Sequence, residues 1–480
     1  MRMSQSGKIA ATDLHPATEP AASRRDRLSG LIFGGLCLIV VLAPLPLGSA
    51  RPLAWDVLAL AVALLLLFTL LLPALETSIE REGMSVPTML FAVVIGVGLL
   101  QAVPWAPAGI RNPIWDQATD ILGNGVYGSI AVDRVAAVIY VLRLLAYAGI
   151  FYLSVVMGRD AHRARTGIRL VAFSGFIYGL YGLVVYWSGN RTILWFAKWA
   201  YPQDLTGPFV NHNSFATYLG LCALASLALT LETFSRIELR GDIRRKFAQA
   251  VEFLARRSLF LLIIFVLITA LLLTHSRGGL AVTVAGALTL LLAITFAPGS
   301  GRMRRVGIWS IGPCILMLLI AMLISGDATM SRLVTTDIDS NTRLLVDQLT
   351  VQAIMNYPIL GIGLGSFTSV FPIYRTADVI YYFDLAHNDY LQNVLELGIP
   401  ASLCLFGALG SLIGLCIHGI RTRHRDAIYP CLGLAASVLV GLHSAIDFSL
   451  QIPAVTTVYL FLMGIAVAQS ISSRKDALKR

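Results

Sequence analysis

The stretch SLFLLIIFVLITALLLTHSRGGLAVTVAGALTLLLAITFA, residues 258–297, decides the class of fold. It contains two apolar runs joined by the short polar turn His275-Ser276-Arg277-Gly278-Gly279. A run of about 20 apolar residues is long enough to cross a bilayer as one helix. Residues 258–275 and 278–297 are therefore predicted to be two consecutive membrane spans.

The composition of the whole chain agrees with this prediction. Of the 480 residues, 56% are hydrophobic and only 13% are charged. An average soluble domain is about 25% charged, so this chain has too little charge to cover a soluble surface. A soluble enzyme, a disordered chain and a DNA-binding domain are therefore excluded. The six cysteines lie in or beside apolar runs and lack the spacing of a metal site.

Ten further apolar runs bring the number of predicted spans to twelve. The approximate bounds of all twelve are 30–48, 52–74, 87–105, 135–157, 168–187, 214–234, 258–275, 278–297, 306–325, 399–419, 427–447 and 450–470. The predicted fold is all-α, a polytopic transmembrane helical bundle of about 12 spans.

The basic residues predict the topology. The formal net charge is +10, and basic residues collect on the cytoplasmic side of membrane proteins. With the N-terminus inside, the inner segments hold 26 of the 37 lysines and arginines. Both termini are therefore predicted to be cytoplasmic. Aromatic anchors are then expected near the outer interface at Trp105, Trp187, Trp195 and Trp199.

This topology divides the chain into five parts. They are a cytoplasmic tail (1–29), nine spans (30–325), a large outer loop with short helices (326–398), three spans (399–470) and a second cytoplasmic tail (471–480). The outer loop has 73 residues, and loops of this length are often functional. The first span ends in Gly48-Ser49-Ala50 and could alternatively be a cleaved signal peptide, although its length favours an uncleaved span.

Four arginines stand out because they are predicted to lie on the arginine-poor outer side. Arg332, Arg343 and Arg375 belong to the acidic outer loop, and Arg277 lies between two spans. A guanidinium group matches phosphate oxygens, so these residues are candidates for binding a lipid-linked pyrophosphate. Alternatively, Arg343 pairs with Asp347 one helical turn away, and Arg277 anchors to lipid head groups. Arg375, like Arg332, is also compatible with a solvated position.

His387 is the candidate general base. Asn388 can cap the helix that follows, because apolar residues recur after it at helical spacing. His387 is thus predicted at a helix start on the outer side, where a neutral imidazole can accept a proton from a sugar hydroxyl. The alternative is an exposed loop histidine without a function.

Four other patterns leave alternatives open. The glycine-rich stretch 361–367 predicts a tight turn whose amides could face an anion. Asp337 and Asp339 form an Asp-x-Asp pattern, but helix capping explains Asp339 equally well, and no metal site is predicted. His443 and Asp447 either orient each other near the site or satisfy each other in the core. Arg143, inside a span, is a functional candidate or pairs with a backbone carbonyl.

Together these stretches resemble the O-antigen ligase / Wzy polymerase superfamily of bacterial envelope glycosyltransferases. The resemblance covers about 206 to 453, and the order of its motifs and their common outer placement carry it. The matching stretches are Thr206-Gly207-Pro208-Phe209-Val210-Asn211-His212-Asn213, Ser276-Arg277-Gly278-Gly279, Asn341-Thr342-Arg343, Gly361-Ile362-Gly363-Leu364-Gly365-Ser366-Phe367, Ala386-His387-Asn388-Asp389-Tyr390, His443-Ser444 with Asp447, and Gln451-Ile452-Pro453.

The resemblance implies a reaction at the periplasmic face of the bacterial inner membrane. A glycan passes from undecaprenyl pyrophosphate to lipid A–core in a ligase, to a growing polysaccharide in a polymerase, or to a protein. It implies no metal and no cofactor, and no nucleic-acid partner is expected.

The resemblance also assigns roles to residues. Arg277 and Arg343 would clamp the pyrophosphate, and His387 would act as general base on the acceptor hydroxyl. Direct attack would invert the anomeric centre. The substrate-binding candidates are His212, Asn213, Arg375, Asn388, Asp389, Tyr390, His443 and Asp447.

Ligase-type transfer is the first expectation, and O-antigen or exopolysaccharide polymerisation is the close alternative with the same donor chemistry. A lipid-linked glycan flippase is the alternative from another class. Transporters usually show repeated halves and spans broken near the midplane. The sequence shows no repeat, and its candidate residues crowd one face, which favours surface chemistry.

Overall fold

The computed structural model describes residues 21–70, 83–123, 125–235, 242–298, 301, 304–305, 307–312 and 342–471. In this part of the chain the regular structure is almost entirely helical, which confirms the all-α prediction. The helices are α1 (Ala21–Leu42), α2 (Pro52–Leu70), α3 (Ser85–Ala102), α4 (Ile114–Leu122), α5 (Arg134–Met157), α6 (Ala161–Trp187), α7 (His212–Ser235), α8 (Ile243–Leu273), α9 (Arg277–Phe296), α10 (342–356), α11 (Phe367–Tyr374), α12 (Asp389–Leu397), α13 (Ile399–Thr422), α14 (Ile428–His443) and α15 (Pro453–Ile471).

Smaller elements complete the described structure. Residues 307–312 are helical, and single 3₁₀ turns cover Leu47–Ser49 and Ser449–Gln451. Two antiparallel strands of two residues each, β1 (Thr192–Ile193) and β2 (Phe196–Ala197), form a small hairpin. This hairpin lies between α6 and α7.

Eight of the described helices are long and apolar enough to cross a membrane: α2, α3, α5, α6, α7, α9, α13 and α15. Two shorter apolar segments, Leu259–Leu273 within α8 and Ile428–His443, fall below that length. The chain is therefore a polytopic helical bundle, as predicted, whereas the count of twelve spans stays a prediction. Most of the predicted span 306–325 lies outside the described residues.

The outer surface of α2 shows how the bundle meets lipid. Its exposed apolar residues recur every three or four positions: Leu53, Val57, Leu60, Leu64 and Leu67. Each of them is more than half exposed, which would be unfavourable in water and suits contact with lipid chains. In contrast, α7 and α15 are buried along nearly their whole length and form the centre of the bundle.

Two helices end earlier than predicted, each for a local reason. The first predicted span reaches residue 48, but α1 ends at Leu42, because Pro44 and Pro46 follow and cannot continue a helix. The predicted span 427–447 contains α14, which ends at His443. Beyond it, Asp447 Oδ1 accepts a hydrogen bond from the amide of Phe448 at 2.7 Å, and this local bond competes with helical pairing.

The described part of the predicted outer loop has its own small core. Helices α10, α11 and α12 contribute most of it, so residues 342–398 form a packed layer on the bundle. The buried members are Val346, Leu349, Ala353, Ile354, Ile362, Phe367, Val370, Phe371, Val379, Ala386 and Leu395.

One buried amide, Gln101 at the end of α3, joins this layer to the bundle. Gln101 Nε2 donates to the carbonyl oxygens of Leu360 at 2.7 Å and Glu396 at 2.8 Å. Gln101 Oε1 accepts from the amide of Leu364 at 3.1 Å. Because these groups are buried, losing the amide would leave several polar atoms unpaired.

Replacing Gly361 by alanine should destabilise the packed layer of residues 342–398. Gly361 has a φ of 64°, and a Cβ there would lie 2.4 Å from the carbonyl oxygen of Glu396. The left-handed backbone and the overlap should together cost about 3 kcal/mol, which lowers the melting temperature in detergent. Gly96→Ala is the control, since a Cβ there meets nothing within 4 Å. Equal melting temperatures for the two variants would contradict the expectation.

Candidate active site

A buried carboxylate, Asp447, faces the imidazole of His387. Asp447 Oδ1 lies 3.6 Å from His387 Nδ1, and the Asp447 side chain is only 1% exposed. This separation is longer than a hydrogen bond. Asn213 Nδ2, in the first turn of α7, donates to Asp447 Oδ2 at 2.5 Å. Three distant parts of the chain therefore meet at one carboxylate.

Aromatic rings enclose His387 and influence its protonation. The rings of Phe383 and Phe448 contact it edge-on, with centroids at 5.5 and 4.5 Å. Burial lowers the pKa of His387 below its ordinary 6.5; the carboxylate of Asp447 raises this pKa, and the guanidinium of Arg343 lowers it further. The imidazole is therefore neutral at pH 7.

The two ring nitrogens of His387 have different surroundings. Nδ1 is shielded from solvent and has no hydrogen-bond partner in the described part of the chain. Because Nδ1 is the nitrogen that faces Asp447, Nε2 is the one available to a molecule from outside. A neutral ring with its proton on Nδ1 would be an acceptor at Nε2.

The backbone at the start of α12 sets the position of His387. Asn388 Oδ1 accepts hydrogen bonds from the amides of Tyr390 at 3.1 Å and Leu391 at 3.2 Å, which confirms the predicted helix cap. His387 itself has a φ of 56°, a left-handed conformation that is uncommon outside glycine. Such a conformation persists only where the surroundings enforce it. The imidazole is thus attached to a well-determined turn.

Asp389 joins the same helix to the segment that carries Asp447. Its Oδ2 accepts hydrogen bonds from Ser444 Oγ at 2.8 Å and from the amide of Leu450 at 3.1 Å. Its own amide donates to the carbonyl oxygen of Ser444 at 2.8 Å. Burial raises the pKa of Asp389 to about 7, although these hydrogen bonds oppose the shift. The start of α12 and segment 444–450 are therefore held in register.

Arg343 contacts the same segment from α10. Its Nη1 donates to the carbonyl oxygen of Ile446 at 3.4 Å, one residue before Asp447. Asp347, the partner considered from the sequence, accepts a hydrogen bond from the side chain of Asn388 and is close enough to feel the charge of Arg343. Burial nevertheless raises the pKa of Asp347 above its ordinary value.

Arg277 lies near this group without a described contact to it. It is the first residue of α9, it is exposed, and Ser276 Oγ caps the helix by accepting from the amide of Gly279 at 3.0 Å. The adjacent Gly278 packs on Ile446, since a Cβ there would lie 2.7 Å from Ile446 Cδ1. The structure thus gathers Arg343, His387 and Asp447, with Arg277 next to a residue that touches the same segment.

The glycine-rich turn faces an anion that the chain itself supplies. The amides of Gly365 and Phe367 donate to the carboxylate of Glu396 at 2.9 and 3.4 Å. Burial raises the pKa of Glu396 to about 7, and hydrogen bonds from these amides and Gln392 oppose this. The turn is thus structural. Glu396 was not singled out from the sequence, where one acidic residue in a short helix carries no distinguishing pattern.

The side chains of His443 and Asp447 do not hydrogen-bond to each other. His443 is buried, and its Nδ1 lies 2.7 Å from Ser449 Oγ and 2.8 Å from Thr217 Oγ1. Asp447 instead faces His387 and Asn213. One member of the pair therefore belongs to the bundle core and the other to the site, an arrangement outside the two considered from the sequence.

His212 makes contacts at the turn between α8 and α9. Its Nδ1 lies 2.7 Å from the carbonyl oxygen of Thr274, and its ring stacks on Tyr201 at 4.4 Å. Asp204 accepts a hydrogen bond from His275 Nδ1 at 2.8 Å and lies 3.4 Å from His212 Nδ1. Asp204 was not selected from the sequence. His212 and His275, both near the ends of predicted spans, were a signal that an acidic partner should be sought.

The remaining described candidates donate to backbone carbonyl groups. Arg375 donates to the carbonyl oxygens of Val379 at 2.7 Å and Ile380 at 2.9 Å, so its guanidinium orders its own loop. Tyr390 Oη donates to the carbonyl oxygen of Gly441 at 2.8 Å. Arg332, Asp337 and Asp339 lie outside the described residues. Within the described ranges, no group of three or more His, Cys, Asp or Glu side chains is arranged to hold a metal ion.

A family match agrees with this geometry. The O-antigen ligase family, Wzy_C, matches residues 262–406. This confirms the resemblance to the O-antigen ligase / Wzy superfamily. The matched range holds Arg277, Arg343 and His387, whereas Asn213 and Asp447 lie outside it. No curated protein gives a match. The match and the apolar helices indicate a multi-pass membrane protein of the O-antigen ligase or polymerase type, with lipid-linked glycan and polysaccharide substrates.

Replacing Asp447 by asparagine should lower the pKa of His387. The carboxylate of Asp447 stabilises the imidazolium form, so its removal leaves only the weaker influence of Asp384 to oppose burial and the charge of Arg343. Diethylpyrocarbonate modifies the neutral imidazole, and its reaction with His387, followed by mass spectrometry against pH, should reach its midpoint at lower pH in the variant. Asp378→Asn, which removes an exposed carboxylate of the same loop, should leave the midpoint unchanged. A midpoint in Asp447→Asn at or above that of the unmodified protein would contradict the expected direction.

Proposed function

We propose that the protein is an envelope glycosyltransferase of the O-antigen ligase type. It moves a glycan from undecaprenyl pyrophosphate to an acceptor hydroxyl at the periplasmic face of the inner membrane. The observation that supports this most is His387, whose Nδ1 faces the buried carboxylate of Asp447 while Arg343 bonds to the same segment. A base, its orienting acid and a phosphate-binding cation are thus within one small region.

His387 acts as general base in this proposal. The acceptor hydroxyl gives its proton to Nε2 as its oxygen bonds to the anomeric carbon. Asp447 holds the imidazole with Nδ1 protonated and stabilises the imidazolium that forms, the role a carboxylate has in a catalytic triad. Because burial keeps the imidazole neutral at pH 7, His387 can accept a proton in the protein without substrate.

The two arginines act on the leaving group. The bond between the anomeric carbon and the pyrophosphate oxygen breaks as the new bond forms, and negative charge grows on the pyrophosphate. Arg343 and Arg277 would bind its oxygens, and two guanidinium groups supply positive charge without a metal ion. Attack from the face opposite the leaving group inverts the anomeric centre.

Replacement of either catalytic side chain should remove transfer. His387→Ala should lower the rate by about 10³-fold, because general base catalysis contributes that order of magnitude. Arg343→Ala should lower it by about 10²-fold, since one charge-stabilising donor is lost. The assay is transfer from a purified polyprenyl-pyrophosphate glycan to acceptor in membranes that contain equal amounts of each protein.

Arg421→Ala is the matched control for loss of a guanidinium. Arg421 is exposed in the last turn of α13, a helix that carries none of the residues assigned here. This variant should transfer at the unmodified rate. Unchanged transfer by His387→Ala, in protein that inserts normally, would rule out the assigned base.

The acceptor can be identified by deleting the gene and analysing the surface polysaccharide. If the protein is a ligase, its deletion leaves polymer on the lipid carrier and none on lipid A–core, which is the result we expect. If the protein is a polymerase, the alternative within the superfamily, its deletion would instead leave single repeat units. Precursor retained on the cytoplasmic side would indicate a lipid-linked glycan flippase and contradict the proposal.

A further inference from the structure

The turn between α8 and α9 carries Arg277, and the backbone is unusual two positions before it. His275 has a φ of 53°, a left-handed conformation that is uncommon outside glycine. Such a conformation persists only where the surroundings enforce it, and it often marks a functional site. His387, the candidate base, has the same conformation at the same place, directly before the residue that caps a helix.

A buried carboxylate, Asp204, holds His275 in this conformation. Asp204 Oδ1 accepts a hydrogen bond from His275 Nδ1 at 2.8 Å, and Asp204 is only 8% exposed. A carboxylate at this depth is costly unless donors meet it, so the bond fixes the imidazole and the backbone attached to it. His387 faces Asp447 through the same ring nitrogen, Nδ1. His275 and His387 thus share a backbone conformation, a place before a helix and a carboxylate partner.

Asp204 is itself fixed by the segment between α6 and α7. Asn190 Nδ2 and Lys198 Nζ donate to its carbonyl oxygen at 2.9 and 2.6 Å. The amide of the next residue, Leu205, donates at 2.9 Å to the carbonyl oxygen of Leu273, where α8 ends. The carboxylate of Asp204 is therefore a fixed point beside the end of α8.

The start of α7 ties the same turn to the rest of the candidate site. His212 Nδ1 lies 2.7 Å from the carbonyl oxygen of Thr274 and 3.4 Å from Asp204 Oδ2. The next residue, Asn213, donates to Asp447 Oδ2 at 2.5 Å. The turn between α8 and α9 and the carboxylate that faces the candidate base are therefore attached to neighbouring residues of one helix.

Arg277 depends on this turn for its position. It is the first residue of α9, and its side chain is exposed. A flexible side chain on a mobile backbone loses more freedom on binding than one on an ordered backbone. An ordered turn therefore favours the interaction of the guanidinium with phosphate oxygens, because only the side chain remains to be fixed.

We propose that Asp204 is a positioning residue for Arg277. Its carboxylate holds His275, and through His275 the backbone of the turn, in the arrangement from which Arg277 binds the pyrophosphate of the donor. The role rests on the proposed function, because that function assigns Arg277 to the leaving group. The effect of Asp204 on the order of the turn can be measured without any reaction.

Removing the carboxylate should loosen the turn. The full-length protein in detergent is studied by hydrogen–deuterium exchange, with mass spectrometry of a peptide that contains residues 274–280. The amides of His275, Ser276 and Gly279 are hydrogen-bonded in this peptide. Asp204→Ala should raise their exchange rate about tenfold, because a hydrogen bond to a charged group is lost.

Asp133→Ala is the matched control. Asp133 caps α5 by accepting from the amide of Ala136 at 2.9 Å, so this variant also loses a carboxylate hydrogen bond, away from the turn. Exchange in the turn should stay at the unmodified rate. His275→Asn removes the imidazole from the other side of the bond and keeps a residue that tolerates the left-handed backbone. It should also raise the exchange rate about tenfold, and it decides the question if Asp204→Ala does not fold.

The transfer assay separates positioning from a general structural role. Asp204→Ala should lower transfer about tenfold in the otherwise unmodified protein. It should not lower the residual transfer of Arg277→Ala any further, because its effect passes through that side chain. A loss of the same size in both backgrounds would overturn the proposal, as would unchanged exchange of the turn in Asp204→Ala and His275→Asn. If the unmodified protein transfers no glycan, the proposed function fails by itself, and the exchange rates still decide whether Asp204 orders the turn.

Discussion

The carboxylate of Asp447 is the contact on which the arrangement of the site depends. A charge buried to this extent is costly unless polar groups surround it. Here the side-chain amide of Asn213 on α7 and the backbone amide of Phe448 donate hydrogen bonds to it, and the imidazole of His387 faces it. Because each partner comes from a different element, satisfying one carboxylate also fixes the relative position of the elements.

The interruption between α14 and α15 makes room for this carboxylate. Irregular backbone between two apolar helices is costly unless its polar groups are satisfied within the protein. Segment 444–450 meets that requirement through Asp389, which accepts from Ser444 and Leu450, and through Arg343, which donates to Ile446. The side chains that pair with the polar groups of segment 444–450 are thus the same ones that position the candidate catalytic residues.

Much of the fold was predictable because it depends on properties that are local in sequence. Apolar length marked most of the helices, and Asn388 marked the start of α12. Helix ends were less predictable where a side chain competed with the backbone, as Asp447 does after α14. The beginning of α8, from Ile243, was also missed, because basic residues there resembled a loop between spans.

The candidate site was predictable in its residue types and less so in its pairings. Arg343 and His387 could be selected because charged or titratable groups on the outer side of a membrane protein require a reason. The partner of His387 could not be selected in this way. Asp447 is 60 positions away from His387, and the histidine nearest to Asp447 in sequence is His443. Pairing across that distance follows from packing of α7, α14 and α15, which no spacing rule contains.

Gln101 has a consequence for how the packed layer of residues 342–398 can be handled experimentally. Its single amide bonds to Leu360, Leu364 and Glu396, so the backbone of the glycine-rich turn and of α12 is completed by a transmembrane helix. A soluble fragment cut at the membrane boundary would lose these bonds together with the packing on Asp447. The layer over residues 342–398 is accordingly an extension of the bundle, and we expect it to be unstable when it is separated from the helices.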